Sequence, residues 1–253
     1  MLYALLGFIL GLVSIESSDL GAKERIHIAV ASNFLGPMKT LSKDFSHRTK
    51  IRVLLSKGPT GMLYAQIKGG APYDLFFAAD VNRPKRLEKE GLIEAGSRFT
   101  YAKGKLVSWS KSFSPDLNLL NPNNPQLRFV AIANPKTAPY GKAALEVLNH
   151  FGLGDSLKKK TKLTYGENVG KAYHYVASGN AQIGLVALSY LAHSKKNQEK
   201  IYEIPQNTYS EIIQQAAILK GRKSGPVLKF LEYLNSSKAK KIIRSYGYDL
   251  GKS

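Results

Sequence analysis

Apolar positions recur with two periods along this chain, and the alternation between them sets the fold class. Residues 26–31 (IHIAVA) are short, β-rich and apolar at every second position, which predicts a strand. Leu35, Met38, Leu41 and Phe45 then follow at helical spacing, with Pro37 in the first turn, where its missing N–H costs little. Residues 51–55 predict a second strand, 56–61 a turn, and 62–68 a helix that stops at Gly69 and Gly70. Residues 74–79 are nearly continuous in hydrophobicity, as expected of a strand covered on both faces. A helix over 84–90 stops at Gly91. The opening is therefore β-α-β-α-β-α, a parallel sheet with helices around it.

The strand predicted over 105–110 breaks this rhythm, and a Pro/Asn-rich stretch follows over 115–125. A second α/β series opens at the strand 129–133 and continues with helices over 141–151 and 169–178 and a strand over 182–187. The strand 212–219 leads back to the first unit, and a C-terminal helix over 226–236 packs there. The expected architecture is α/β with two lobes, each a mixed, mostly parallel sheet flanked by helices, and a cleft between them. Residues 23–104 with 216–253 form the first lobe and 105–215 the second. No internal sequence repeat is evident.

At 253 residues with 43% hydrophobic content, the chain is long enough and apolar enough for such cores. It has no cysteine, which excludes disulfides, thiolate metal sites, a cysteine nucleophile and a lipid anchor on cysteine. Residues 2–15 form an uncharged apolar run with the length of a signal-peptide core, too short to span a bilayer. A leader over 1–22 and export from the cytoplasm are the expectation, although the leader carries no Lys or Arg ahead of its apolar core. The net charge of +19 leaves three readings open: a general basic bias, steering of anions, and nucleic-acid binding. The lysines are scattered, and the longest basic run, Lys158 to Lys160, sits in a loop-like stretch. No zinc pattern, RNA-binding signature or basic heptad helix accompanies them.

In open α/β sheets ligands bind beyond the carboxyl ends of the strands. Four strand–helix turns occupy that position here, and each joins small or hydroxyl residues to a helix start. They are Ala31-Ser32-Asn33, Pro59-Thr60-Gly61, the stretch from Asn134 to Gly141, and the stretch from Gly166 to Gly170. Helix starts expose unpaired N–H groups and add roughly half a positive charge. Hydroxyls add further neutral donors, so the set suits a fully deprotonated oxyanion. Taken singly, Ser, Thr and Asn at such places are ordinary helix caps. Four together, two per lobe, favour a shared site.

Several stretches match a known family. Residues 66–80 (QIKGGAPYDLFFAAD) are similar to the pattern Q-I-x-x-G-A-P-x-D-[LV]-F-[IF]-[SA]-A-D of the periplasmic molybdate-binding proteins of ABC transporters. Residues 29–34 (AVASNF), Asn134-Pro135 with 138–141 (APYG), 166–169 (GENV), 184–189 (GLVALS) and 246–248 (YGY) add to the resemblance in the right order. It runs from about residue 26 to the end. It implies the type II periplasmic binding-protein fold and the capture of molybdate or tungstate without a cofactor or a directly liganded cation. It implies ligand contacts from Ser32 and Thr60 and from the backbone N–H groups of Asn33, Tyr140 and Val169. Ala187 stands where one branch of the family adds a tyrosine hydroxyl. The partner implied is a membrane permease, with the binding protein a monomer.

The expected work is binding rather than catalysis. None of the five histidines, His27, His47, His150, His174 and His193, lies in metalloprotease spacing. There is no nucleophile elbow, phosphate-binding loop or dinucleotide fingerprint. Asp74 and Asp80 flank the third strand, where carboxylates commonly cap strand ends and turns. The alternatives carried forward are a binding protein of the same fold for sulfate or phosphate and, from another class, a basic nucleic-acid-binding protein.

Overall fold

The computed structural model describes residues 24–193 and 200–251, so the expected leader lies outside the described residues. The first sheet is built from β1 (Arg25–Ala31), β2 (Arg52–Gly58), β3 (Leu75–Ala78), β4 (Phe99–Gly104) and β10 (Ile212–Ile218), in the order β2-β1-β3-β10-β4. The second is built from β5 (Leu106–Ser110), β6 (Val130–Ala133), β7 (Leu163–Gly166), β8 (Ile183–Ala187) and β9 (Ile201–Glu203), in the order β7-β6-β8-β5-β9. Both sheets follow one plan. Three neighbouring strands are parallel, because helical crossovers join them, and the fourth, β10 or β5, runs antiparallel to both its neighbours. Two lobes of mixed α/β structure result, as the hydrophobic periods predict.

The helices follow the strands in alternation. They are α1 (Leu35–Thr49), α2 (Thr60–Lys68) and α3 (Asn82–Lys89) around the first sheet. Around the second lie α4 (Pro139–His150), α5 (Gly154–Lys159) and α6 (Val169–Ala177). The chain then returns to the first lobe through β10, α7 (Gly225–Asn235) and α8 (Ser237–Ser245). Every residue of β3 is buried, as its unbroken apolar run requires. Successive strand residues face opposite sides, so Phe76 and Phe77 serve different cores. Phe77 packs with Phe34, Met38, Phe45 and Phe230, while Phe76 packs with Leu63, Ile67 and Leu87. The second lobe gathers Trp109, Ile132, Tyr140, Val147, Leu148 and Leu185 in one core.

Several elements depart from expectation. The basic run is not a loop: Lys158 and Lys159 form the last turn of α5, which is pinned by the buried Leu157 and favoured by cations at its carboxyl end. The C-terminal helix breaks at Ser236, whose hydroxyl accepts the Ala239 N–H at 3.2 Å and starts α8. Strands β4, β7 and β9 carry no clear alternation; β7 and β9 span only 4 and 3 residues. The expected lobe boundary between residues 215 and 216 falls inside β10, all of which pairs with β3 and β4. The chain thus passes between sheets at Lys105, between β4 and β5, and again at residues 209–211, just before β10. Among the described residues no helix is long and apolar enough to cross a membrane.

Candidate functional site

The carboxyl ends of β1, β2, β6 and β7 deliver the four turns to one place. Ala31 at the end of β1 leads into a single 3-10 turn, Ser32–Phe34, and then α1. Gly58 and Pro59 lead into α2, Ala133 leads to α4, and Gly166 leads to α6. Between the lobes these turns enclose a small cavity of about 10 Å³, lined by Ala31, Ser32, Asn33, Pro59, Thr60, Ala79, Ala138, Pro139, Tyr140 and Val169. All five residues expected at the site are among them. The space is below the roughly 300–1,000 Å³ of pockets for organic ligands, so it suits an ion.

The lining contains no acidic, basic or histidine side chain. Ser32 is 7% exposed, Asn33 3%, Thr60 1%, Tyr140 2% and Val169 2%, so hydrogen bonds made here act in a medium largely stripped of water. Thr60 is the first residue of α2, and its hydroxyl does not cap that helix. Instead Oγ1 accepts the Ala79 N–H at 3.1 Å, which leaves the hydroxyl proton free to be donated elsewhere. Ser32 likewise caps no helix. Asn168 behaves differently: it is an ordinary cap, accepting the Lys171 N–H at 3.1 Å.

Three helix starts face the cavity, at Thr60, Pro139–Tyr140 and Val169. First-turn amides have no acceptor in their own helix. The Gly61 N–H finds one across the cleft, the Thr137 carbonyl at 2.9 Å. Those of Thr60, Tyr140 and Val169 find none among the described residues. Each helix start adds roughly half a positive charge, and no fixed charge competes in the lining.

The side chains of Asn33 and Tyr140 are occupied elsewhere. Asn33 Nδ2 donates to Gln214 Oε1 at 2.8 Å and to the Tyr248 hydroxyl at 3.0 Å. Gln214 Nε2 donates to the Tyr140 hydroxyl at 3.3 Å, and the Tyr101 hydroxyl donates to Gln214 Oε1 at 2.8 Å. This network spans both lobes and the returning strand β10. Burial pushes the Tyr101 and Tyr140 hydroxyls well above the ordinary tyrosine range and Tyr248 up to about 12, so all three remain neutral donors near pH 7. Gly104, the last residue of β4, leaves room for it: a Cβ there would lie 2.0 Å from the Tyr140 hydroxyl oxygen. Gln214, Tyr248 and Gly104 were not expected at the site. Tyr248 belongs to a motif of the resemblance, but nothing in its spacing points to the cavity.

The two aspartates have structural partners. Asp74 accepts the His27 N–H at 2.7 Å. Asp80 accepts the Arg83 N–H at 2.9 Å and pairs with the Arg83 guanidinium. Lys57 is exposed. Among the described residues no cluster of three or more His, Asp or Glu side chains is placed to hold a metal ion.

A two-lobed α/β chain with its parallel strand ends converging on one ion-sized cavity is a solute-binding protein of the type II kind. The family model for bacterial extracellular solute-binding proteins matches residues 26–249, and the chain belongs to that family. It is 43% identical over 229 residues to the molybdate-binding protein ModA of Azotobacter vinelandii, covering 89% of this chain and 90% of that protein. It is 39% identical over 221 residues to the molybdate-binding protein ModA of Rhodobacter capsulatus, covering 87% and 86%. The solved structure of the Azotobacter vinelandii periplasmic molybdate-binding protein superposes with a TM-score of 0.83 at 37% identity, over 90% of this chain and all of that one.

Proposed function

We propose that this protein captures molybdate or tungstate outside the cytoplasm and hands it to the permease of an ABC importer. The observation that carries the reading is the convergence of Ser32, Asn33, Thr60, Tyr140 and Val169, from four turns and two sheets, on one uncharged cavity. Similarity to two molybdate-binding proteins supports the choice of ligand. Ser32 and Thr60 donate from hydroxyls, and Asn33, Tyr140 and Val169 from backbone N–H groups. No cofactor takes part and no reaction is catalysed.

The donor set explains selectivity. Fully deprotonated tetrahedral oxyanions present only acceptors, which suits a lining of donors. Phosphate at neutral pH keeps a proton, and that proton would lack an acceptor here, at about 1–3 kcal/mol. Sulfate matches in charge but is smaller than molybdate, so discrimination between them rests on the size of the closed cavity. The first lobe is residues 24–104 with 212–251 and the second is 105–193 with 200–211, since all of β10 pairs with β3 and β4. They close over the ion by a hinge motion, and the closed monomer is the form a permease recognises. The leader over 1–22 directs export.

Titration calorimetry on the mature protein with molybdate, tungstate, sulfate and phosphate tests the assignment. One-to-one, tight binding of the two metal oxyanions, with sulfate and phosphate far weaker, is expected. Absence of binding to both metal oxyanions rejects it.

A further inference from the structure

Two hydroxyls of the second lobe reach the first lobe's opening turn. The Tyr190 hydroxyl donates to the Ser32 carbonyl at 2.7 Å, and the Ser189 hydroxyl donates to the Asn33 carbonyl at 2.8 Å. The Asn33 carbonyl also accepts the Tyr248 hydroxyl, from within its own lobe, at 2.8 Å. The Ser32 carbonyl depends on Tyr190 alone for a side-chain donor among the described residues.

Tyr190 is rigidly held in the second lobe. Its ring stacks on Tyr173 at 5.1 Å, and Tyr173 stacks on the buried Trp109 at 5.0 Å. Its hydroxyl lies against Gly170, the residue after Val169, where a Cβ would stand 2.4 Å from the oxygen. One side chain therefore meets the start of α6 and the turn at the end of β1.

The Ser32 carbonyl and the Asn33 N–H belong to one peptide plane and point in opposite directions. A donor that holds the carbonyl on one side fixes the N–H on the other. It also adds a second donor to a carbonyl that already accepts the Leu35 N–H of the 3-10 turn, and so draws its negative charge further from an anion. Because the bond joins the two sheets' lobes, opening the hinge breaks it.

We propose that Tyr190 is a positioning residue for anion capture: its hydroxyl is a cross-lobe latch that orients the Ser32–Asn33 peptide and forms only on closure. The inference rests on the function proposed above. It places a determinant of release rate at a side chain that does not line the cavity.

The test uses the mature protein with sodium molybdate as probe, followed by calorimetry and by the stopped-flow emission of Trp109, the single tryptophan of the chain. Tyr190→Phe keeps the aromatic stack and removes the hydroxyl. It is expected to weaken binding about tenfold, the scale of one lost hydrogen bond beside an anion. The loss should appear as faster release, with association changed less than about twofold. Ser189→Ala, whose carbonyl keeps Tyr248, should weaken binding less than about threefold. The melting temperature of unliganded Tyr190→Phe should match the parent's. Unchanged release, or a loss matched by an equal fall in unliganded melting temperature, overturns the latch. If the parent protein itself takes up no molybdate, the functional reading has failed and the latch, which forms only on closure around that anion, falls with it; unchanged release by Tyr190→Phe in a parent that does bind overturns the latch alone.

Discussion

The two lobes share a strand order yet equip the cavity differently. The first lobe brings side-chain hydroxyls, at Ser32 and Thr60, beside the Asn33 N–H and the start of α2, on short turns after β1 and β2. The second brings helix starts, at Tyr140 and Val169, whose side chains are a networked phenol and an aliphatic group. The same sheet plan therefore supplies donors in two ways. One way is written in side chains and is open to substitution. The other is written in backbone and is disturbed only when a helix start moves.

That contrast orders the expected effects. The largest is Thr60→Ala. It removes a hydroxyl donor from the anion and leaves the buried Ala79 N–H without its acceptor. A hydrogen bond to a charged group is worth about 1.5–3 kcal/mol, so the dissociation constant measured by calorimetry should rise about 10- to 150-fold. Thr60→Ser should restore most of the affinity. Equal losses in the two variants would mean that the methyl packing of Thr60 matters, not its hydroxyl.

Next comes alkaline pH, which acts on the network behind the second lobe's contribution. Tyr248 has its folded value raised by burial to about 12, above the ordinary value of 10.0. A raised folded value means that the folded state holds the proton more tightly. The stabilisation is complete below about pH 10 and is lost as pH climbs toward 12. Thermal melts should be flat from pH 7 to 9 in this respect and fall above 10. Tyr248→Phe should be less stable at neutral pH and should flatten that alkaline fall, and an unchanged slope in the variant would assign the fall to other groups.

The smallest effect is expected at Val169→Ala. The backbone N–H remains, so molybdate affinity should change less than about threefold, while loss of two buried methyl groups costs about 1–2 kcal/mol of folding stability. A tenfold loss of affinity with little loss of stability would show that the valine side chain itself shapes the cavity.

Much of this arrangement is legible in the chain. The alternation of strand and helix periods reads the three parallel strands of the first sheet and two of the three in the second, and the hydroxyl- and amide-rich turns mark the ends that meet at the cavity. Strands β7 and β9 escape because a span of 4 or 3 residues holds too few alternations to register. Helix α5 escapes because it carries only one buried leucine, Leu157, among polar and basic residues, and its stability comes from packing. The break between α7 and α8 rests on one serine hydroxyl. The lobe boundary slides into β10 because that strand, interrupted only by Gln214 and Gln215, holds no turn residue to mark where the chain changes lobes. Tyr190 escapes for a different reason. Its partner Ser32 lies 158 residues away, and a bond between a side chain and a distant carbonyl leaves no periodic trace.

The central claim is that one uncharged cavity between the lobes, lined by Ser32, Asn33, Thr60, Tyr140 and Val169, holds the oxyanion. Crystals grown with tungstate and measured at the tungsten absorption edge test it most directly. The account predicts one strong anomalous peak per chain, within hydrogen-bonded reach of the Thr60 hydroxyl and of the Tyr140 and Val169 amides. A peak elsewhere, for instance on the basic surface, with this cavity lacking one, would contradict it.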